Sequence, residues 1–269
     1  RLAGVNLSGT DLTEAAIDLR RQSLTTTTLT GTRLTGMNLT GSDLTGLDLR
    51  GAQLQTANLS GANLSRVILN RANLQGANLT RSILTAATLA EANLTEASLS
   101  GAELTGTVLK AVILADAKVA GTNVSVALPD LATVDLSGAD LTGSNLSRLN
   151  LSEADLREAI LTTTNFSGAD LQEANLSATN ASRAALPTAD LRSANLANAN
   201  LSYADLSGAR LAQSNLSGAT LANARLAGID LRKVELNQIK GTLAGVELSQ
   251  ANRAGLELRS MRFQAAKRD

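Results

Sequence analysis

The chain has 269 residues, of which 43% are hydrophobic and only 1% aromatic, and its 24 Lys and Arg balance 24 Asp and Glu. A net charge of zero is unlike the basic bias of nucleic-acid-binding proteins, so we expect no direct nucleic-acid binding. The absence of Cys and His excludes disulfides, thiolate metal sites and histidine-based catalysis. No apolar run approaches the roughly 18 to 20 residues that span a bilayer. We expect a soluble protein, cytoplasmic rather than secreted.

A central residue recurs at every fifth position, from 24 to 124 and again from 131 to 236. Leucine fills 39 of these 43 positions, and the exceptions are Val119, Val124, Phe166 and Ala181. This period fits neither a helix, at about 3.6 residues, nor a strand, at about 2. The spacing therefore predicts a short structural repeat. The chain begins at Arg1 without a methionine, which suggests that preceding residues were removed or belong to a longer protein.

Each unit has the same chemical pattern around its central leucine, as in Ala62-Asn63-Leu64-Ser65. The small residue two places before the leucine should point inward with it. Asp or Asn usually precedes the leucine, and Ser, Thr, Gly or charged residues follow it, which suits a solvated surface and tight turns. The pattern predicts a chain that bends at every unit.

Tandem units of this kind resemble the pentapeptide-repeat family, and the resemblance covers essentially the whole chain. It implies an all-β fold, a right-handed quadrilateral β-helix or solenoid with four units in each coil. With coils stacked at about 4.8 Å, about 52 units would give about 13 coils and a rigid rod roughly 60 Å long. We expect a single domain over residues 1–269.

The repeat changes register near 18–23, 125–130 and 237–242, where the leucine phase advances by seven residues instead of five. Each break thus inserts two residues. At the first, Leu12, Ala15, Ala16 and Leu19 would share one helical face, so either a short N-terminal capping helix or a two-residue bulge at a corner fits. Pro129 favours a bulged corner at the second break, because proline removes a ladder donor.

Residues 20 apart should stack on neighbouring coils, which converts the sequence into a surface map. Two columns of asparagine are predicted to form amide ladders: Asn38, Asn58 and Asn78, and Asn175, Asn195 and Asn215. Exposed ion pairs are predicted between stacked side chains: Arg210 with Asp190 and Asp230, Arg225 with Asp205, and Arg71 with Glu91.

Stacked acids also occur, for example Asp135 with Asp155 and Glu96 with Asp116. On a convex wet surface without histidine they match no catalytic arrangement, so we expect neither an enzyme nor a cofactor or metal site. The residues of interest are instead candidates for protein contact. They are an acidic patch, Glu153, Asp155, Glu158, Asp170 and Glu173, and the outward-facing Tyr203.

The resemblance implies two functions. One is a non-enzymatic, structural scaffold of bacterial type whose sides or ends bind unknown protein partners, with a homodimer or larger assembly formed through an end coil. The alternative is a mimic of B-form DNA that inhibits or protects a type II topoisomerase such as DNA gyrase. A mimic should carry about one negative charge per 1.7 Å of axis, and the zero net charge disfavours it.

Overall fold

The structure, a computed structural model, describes residues 2–14, 18–19, 24, 26–122, 131–230, 234 and 246–247. The chain divides into two compact units, Arg1–Asp130 and Leu131–Asp269. The division falls at the second predicted register break. Each unit is described by itself below, and the single domain over 1–269 stays a prediction.

Both units are stacks of coils joined by parallel backbone bridges between residues 20 apart, such as Asn58 with Asn78 and Asn175 with Asn195. The predicted four-unit coil is therefore confirmed within each unit. The part of the chain that the structure describes contains no α-helix and no strand longer than one bridged residue. Pairing is limited to one residue on each side because the chain turns again within the same five-residue unit.

Each coil has four flat sides, which we label by their bridged residues. In the first unit, side A carries Thr28, Asp48, Ile68, Thr88 and Val108; side B Arg33, Gln53, Asn73, Asn93 and Ile113; side C Asn38, Asn58, Asn78, Ser98 and Lys118; and side D Asp43, Asn63, Ile83 and Glu103. In the second unit, side E carries Asp135, Asp155, Asn175, Asn195 and Asn215; side F Asp140, Ile160, Asn180, Asn200 and Thr220; side G Asn145, Asn165, Ala185, Asp205 and Arg225; and side H Asn150, Asp170, Asp190 and Arg210.

The central leucines and the small residues two places before them fill the interior, as predicted. Leu54 and Ala52, for example, are both fully buried. Phe166 and Ala181, the two unusual central residues of the second unit, are buried too. Burial of one leucine contributes about 1.5 to 3 kcal/mol, so stability is distributed over all coils.

A single unit, Ala57-Asn58-Leu59-Ser60-Gly61, shows where every backbone N–H goes. Ala57 donates to the carbonyl of the preceding leucine at 3.0 Å, and Asn58 donates to the preceding coil at 2.9 Å. Leu59 and Gly61 donate to the following coil at 2.7 and 2.9 Å. The remaining N–H, that of Ser60, donates to Oδ1 of Asn58 at 3.1 Å. All five donors are thus satisfied, which is what buried or half-buried backbone requires.

The Asn or Asp before each leucine is therefore a backbone cap, a role that the sequence analysis missed. Asn63, for instance, accepts the N–H of Ser65 at 3.1 Å and its hydroxyl at 2.6 Å. Ala185 supplies the converse case. Two residues after it stands Pro187, which has no N–H to cap.

We expect Asn63→Ala to lower the free energy of unfolding by about 0.5 to 2 kcal/mol, the range measured for lost side-chain caps of backbone N–H groups. The control is Ala185→Asn, which gains no backbone cap because Pro187 has no N–H. Urea unfolding curves of both variants check this. The capping role would be contradicted if both variants changed the free energy of unfolding by the same amount.

The corner after each leucine contains a residue in the left-handed region. Glycine fills many corners, but non-glycine residues adopt the same conformation, with φ of 58° at Arg66 and 62° at Tyr203. The N–H three residues after each leucine closes the turn onto the leucine carbonyl, as in a type II turn. Corner side chains are therefore held outward by the backbone.

Bridges span the first and third predicted register breaks, and the breaks themselves stay predictions. Asn6 pairs with Thr28 and Arg225 pairs with Glu247, so these coils contain 22 residues instead of 20. Leu19 is buried in a 3₁₀ turn, and Leu12 is buried as well. Residues 15–17 and 20–23 lie outside the described residues, as does the second break at 125–130, so the capping helix and the corner at Pro129 stay predictions.

Ser82 is the exception among the inward-facing hydroxyls of side D. Its Oγ is buried and has no hydrogen-bond partner in the described part of the chain, whereas Ser42, two coils earlier in the same column, donates to the carbonyl of Leu39 at 2.7 Å. We expect Ser82→Ala to raise the free energy of unfolding by up to about 1 kcal/mol and Ser42→Ala to lower it by a similar amount. Thermal and urea unfolding would measure both, and a loss at Ser82 would contradict the assignment.

Candidate protein-contact surface

The structure brings the five predicted acids together on two adjacent sides of the second unit. Asp155 lies on side E and Asp170 on side H. Glu153 and Glu173 lie one coil apart on the edge where side H meets side E, and Glu158 lies on the edge between sides E and F. We keep the name acidic patch for these five residues.

The two aspartates of the acidic patch serve the backbone. Asp155 accepts the N–H of Arg157 at 3.1 Å and its guanidinium at 2.6 Å. Hydrogen bonding from that guanidinium holds the pKa of Asp155 below its usual value. Asp170 accepts the N–H of Gln172 at 3.1 Å and its side-chain amide at 3.0 Å. Each of these carboxylates is therefore engaged within its own unit, and its charge is not fully available to a binding partner.

The three glutamates of the acidic patch are different. Glu153, Glu158 and Glu173 occupy left-handed corners with φ of 58°, 60° and 59°, and all three are exposed. None forms an ion pair with a residue that the structure describes. Their carboxylates thus project from fixed backbone positions along both edges of side E.

Charge is concentrated around this surface although the whole chain is neutral. Residues 134–173, two coils, contain seven acids and two arginines. The predicted stack of Asp135 on Asp155 forms, and Asp170 bridges Asp190 in the same way. Arginines offset part of the repulsion within these stacks.

Asp190 shows this compensation most clearly. Its carboxylate contacts the guanidinium groups of Arg192 at 2.7 Å and Arg210 at 3.0 Å. Hydrogen bonding from Arg192, reinforced by the charge of Arg210, holds the pKa of Asp190 below its usual value. Of the two ion pairs predicted for Arg210, the one with Asp190 is confirmed.

The lowered pKa of Asp190 predicts a pH dependence. A carboxyl whose pKa is lower in the folded state contributes stability above its unfolded value of about 3.9, and that contribution is lost as the pH falls through the folded value. Asp190→Asn keeps the backbone cap but removes the charge. We expect it to be less stable than the wild type at pH 7, with a difference that shrinks as the pH falls below the unfolded value of about 3.9. Urea midpoints measured from pH 2 to 7 test this, and a gap that persists in acid would contradict it.

The other predicted contacts have mixed outcomes. The ion pairs of Arg71 with Glu91, at 2.8 Å, and of Arg225 with Asp205, at 3.2 Å, are confirmed. The amide ladder through Asn175, Asn195 and Asn215 is confirmed with two bonds of 3.1 Å. In the column of Asn38, Asn58 and Asn78, the described residues make no amide-to-amide bond, and each Oδ1 accepts a backbone N–H instead.

Sequence reasoning also missed a set of ion pairs within single units. They join Asp48 to Arg50, Asp155 to Arg157 and Asp190 to Arg192, at 2.5 to 2.7 Å. The triplet Asp-Leu-Arg in the sequence could have predicted these ion pairs. Because the leucine points inward, its two neighbours point outward side by side.

Tyr203 lies on the edge between sides F and G, separate from the acidic patch. Its side chain is exposed, with 57% of the residue surface accessible, and the guanidinium of Arg183 lies 5.6 Å from the ring centre. Arg183 is 20 residues earlier, so the coil spacing could have revealed this cation–π pair. The pair orients an aromatic ring toward solvent.

Comparison with known proteins agrees with this geometry. The family model described as pentapeptide repeats matches the chain repeatedly, over residues 16–46, 23–61, 48–85, 87–125, 130–168, 169–207 and 199–238. The chain belongs to the pentapeptide repeat family. Members of this family fold as right-handed β-helices. No curated protein is a significant match to the chain.

Among solved structures, the chain is 31% identical to HetL, a pentapeptide repeat protein involved in heterocyst differentiation regulation in Nostoc sp. strain PCC 7120, covering 82% of each chain with a TM-score of 0.41. It is 17% identical to QnrB1, a plasmid-mediated fluoroquinolone resistance protein, covering 88% of this pentapeptide repeat chain and 89% of that one with a TM-score of 0.30. It is 32% identical to Rfr23 of the cyanobacterium Cyanothece 51142, covering 45% and 62% of the two chains with a TM-score of 0.19.

Two further findings concern the described residues of this pentapeptide repeat protein. They include no group of three or more acidic side chains arranged to hold a metal ion. They also include no helix whose length and apolar character would let it cross a bilayer.

Proposed function

We propose that this pentapeptide repeat protein is a non-enzymatic scaffold that binds protein partners through its sides. The observation that supports this most directly is the set of corner glutamates, Glu153, Glu158 and Glu173, which the backbone holds outward without a described ion-pair partner. The backbone at these corners is already fixed, so binding would order only the side chains, and their charges favour a partner with a matching basic surface. Family members are generally structural or interaction proteins.

Tyr203 supports a second contact on the same scaffold. Tyrosine and arginine are enriched among the residues that dominate binding energy at interfaces. The stacked Arg183 holds one orientation of the exposed ring, at 5.6 Å from its centre. An isolated surface tyrosine without a neighbour would have no such restraint.

Quantitative co-purification of partners from the native source tests the proposal. We expect Glu153→Lys/Glu173→Lys to lose at least one partner that the wild type retains. The matched control is Glu96→Lys/Asp116→Lys, which reverses two acids stacked at left-handed corners of the first unit. Tyr203→Asn, which suits a corner that Asn198 and Asn223 already occupy elsewhere, tests the aromatic contact. Identical partner sets for all these variants would refute the scaffold surface.

The DNA-mimic hypothesis is retained as a second candidate because of the local charge around the acidic patch. Seven acids and two arginines over two coils approach the charge of DNA, which is about six over the same roughly 10 Å of axis. This density is confined to residues 134–173, and the chain as a whole is neutral. A gyrase supercoiling assay tests the mimic hypothesis. The absence of both inhibition and quinolone protection at micromolar protein concentrations would exclude it.

Several finer features remain part of the proposal. They are the count of about 13 coils at about 4.8 Å spacing, assembly through an end coil, and a cytoplasmic location. The same pattern of backbone hydrogen bonds joins each coil to the next, which supports the 20-residue repeat from which the number of coils is calculated.

A further inference from the structure

Side G of the second unit changes its chemistry at a single coil. Ala185 is bridged to Asn165 on one neighbouring coil and to Asp205 on the other, so alanine stands between two polar side chains. Pro187, two residues further along the same side, is also apolar, and both residues are half-buried. We call Ala185 and Pro187 the side G notch, because they form an apolar floor between longer neighbours.

The two polar neighbours of the side G notch are bonded away from it. Asn165 donates its side-chain amide to Asn145 on the preceding coil at 3.2 Å. Asp205 accepts the guanidinium of Arg225 on the following coil at 3.2 Å. Coils stacked at about 4.8 Å place the two neighbours roughly 10 Å apart. The side G notch is therefore open and wide enough for one aliphatic side chain.

The polar atoms around the side G notch already have partners. Asn165 and Asp205 each accept the backbone N–H two residues further on, at 3.0 Å. Pro187 has no N–H, and its carbonyl accepts the N–H of Gly168 at 2.9 Å. An apolar side chain of a partner can therefore be buried on the notch without breaking any of these hydrogen bonds, and its burial is favourable.

A charged residue borders the side G notch. Arg183 occupies the left-handed corner two residues before Ala185, with φ of 59°. Its guanidinium lies 5.6 Å from the centre of the Tyr203 ring and forms no ion pair with a described residue. Stacking occupies the face of a guanidinium and leaves its edge N–H groups free, and these match a carboxylate in a bidentate arrangement. The notch thus has an oriented cation directly beside an apolar floor.

We propose that the side G notch and Arg183 bind an acidic, aliphatic segment of a protein partner, with an aliphatic side chain in the notch and a neighbouring Asp or Glu carboxylate on the guanidinium. The charge fits one carboxylate, because Arg225 is already engaged by two acids of this chain, at 3.2 and 3.1 Å. Phosphorylated segments are recognised by clusters of arginine, so they fit this site less well. The inference rests on the proposed function, since it names the partner chemistry for the contact at Tyr203.

A peptide selection on the full chain tests this proposal. A phage-displayed library of random linear peptides is first depleted on immobilised Arg183→Gln and then selected on the wild type. Depletion removes peptides that bind elsewhere, including basic peptides on the acidic patch. We expect the retained sequences to place Asp or Glu within two residues of Leu, Ile, Val or Met. No retained peptide, or retained sequences without an acid, would overturn the proposal.

Dissociation constants of the best retained peptide then locate the contact. Arg183→Gln should raise the dissociation constant at least about tenfold, and so should Ala185→Asn, which fills the side G notch. Tyr203→Phe keeps the ring and should bind within about twofold of the wild type, whereas Tyr203→Asn should bind more weakly. Changing the acid of the peptide to its amide should reproduce the loss on the unaltered wild-type protein. Equal affinities of the wild type and Ala185→Asn would rule out the notch.

Arg66→Gln is the matched control. Arg66 also occupies a left-handed corner, with φ of 58°, but Ala86 holds the same corner one coil later, so no aromatic ring orients it. This variant should bind the peptide like the wild type, and unchanged thermal midpoints establish that all variants are folded. Glu153→Lys/Glu173→Lys leaves the side G notch intact and should also bind the peptide normally. If no peptide is retained while partners still depend on Glu153 and Glu173, the notch is refuted and the proposed function stands.

Discussion

Replacing Leu74 by alanine is expected to lower the free energy of unfolding by about 2 to 5 kcal/mol, the range for fully buried leucines. Leu74 is fully buried, and its N–H donates to the following coil at 2.7 Å. The coils around Leu74 have a buried leucine on every side, so neighbouring side chains cannot collapse into the cavity without moving their own backbones. The loss should thus lie near the upper end of the range.

Urea unfolding followed by circular dichroism measures this effect. Gln75→Ala is the matched control, because it shortens the adjacent, exposed side chain and leaves the interior intact. We expect the control to stay within about 0.5 kcal/mol of the wild type. A Leu74→Ala variant as stable as the control would mean that the leucine column is not the source of stability.

Phe166→Leu is expected to cost about 1 to 3 kcal/mol, since it leaves a cavity in a close-packed coil. Phe166 and Ala181 are both buried, and they occupy adjacent sides, G and F. An oversized and an undersized central residue in one coil can compensate each other in volume. Close packing inside this coil then depends on the combined volume of the two side chains rather than on either residue alone.

A double-mutant cycle separates this pairing from a simple cavity. Ala181→Leu alone should also destabilise the protein, by overpacking, and the double variant Phe166→Leu/Ala181→Leu should recover most of the stability. Strictly additive losses, or an unchanged melting temperature for Phe166→Leu, would refute compensation. Leu171→Met, a change of similar volume in the same coil, serves as the control and should cost less than about 1.5 kcal/mol.

The five-residue period predicted the interior well, because burial of a leucine at fixed spacing is a property of the pattern itself. Leu54 and Ala52 point inward for the reason read from the sequence. The spacing of 20 also predicted stacked partners such as Arg71 and Glu91. Side chains that contact each other could be predicted from the sequence wherever the 20-residue coil alone determines the contact.

The surface was predicted less well, because the outward positions are not equivalent and composition does not distinguish them. Asp155 and Glu153 both appeared as members of one acidic patch, yet one caps a backbone N–H and pairs with Arg157 while the other projects from a left-handed corner. The distinction depends on backbone torsion angles. A glutamate or tyrosine with positive φ is unfavourable in isolation, so local propensity gave no reason to expect it at Glu173 or Tyr203.

The bonding of each coil to its two neighbours has a consequence for how such a chain can change in length. Because bridges join residues 20 apart, removal of one full coil, for example residues 154–173, would bring matching positions back into contact and preserve every remaining column. Loss of a single five-residue unit would rotate all later residues by a quarter turn and transfer each column to the next side. Descendants of this sequence can therefore grow or shrink by whole turns while keeping their surfaces, whereas a one-unit step exchanges one binding side for another in a single event.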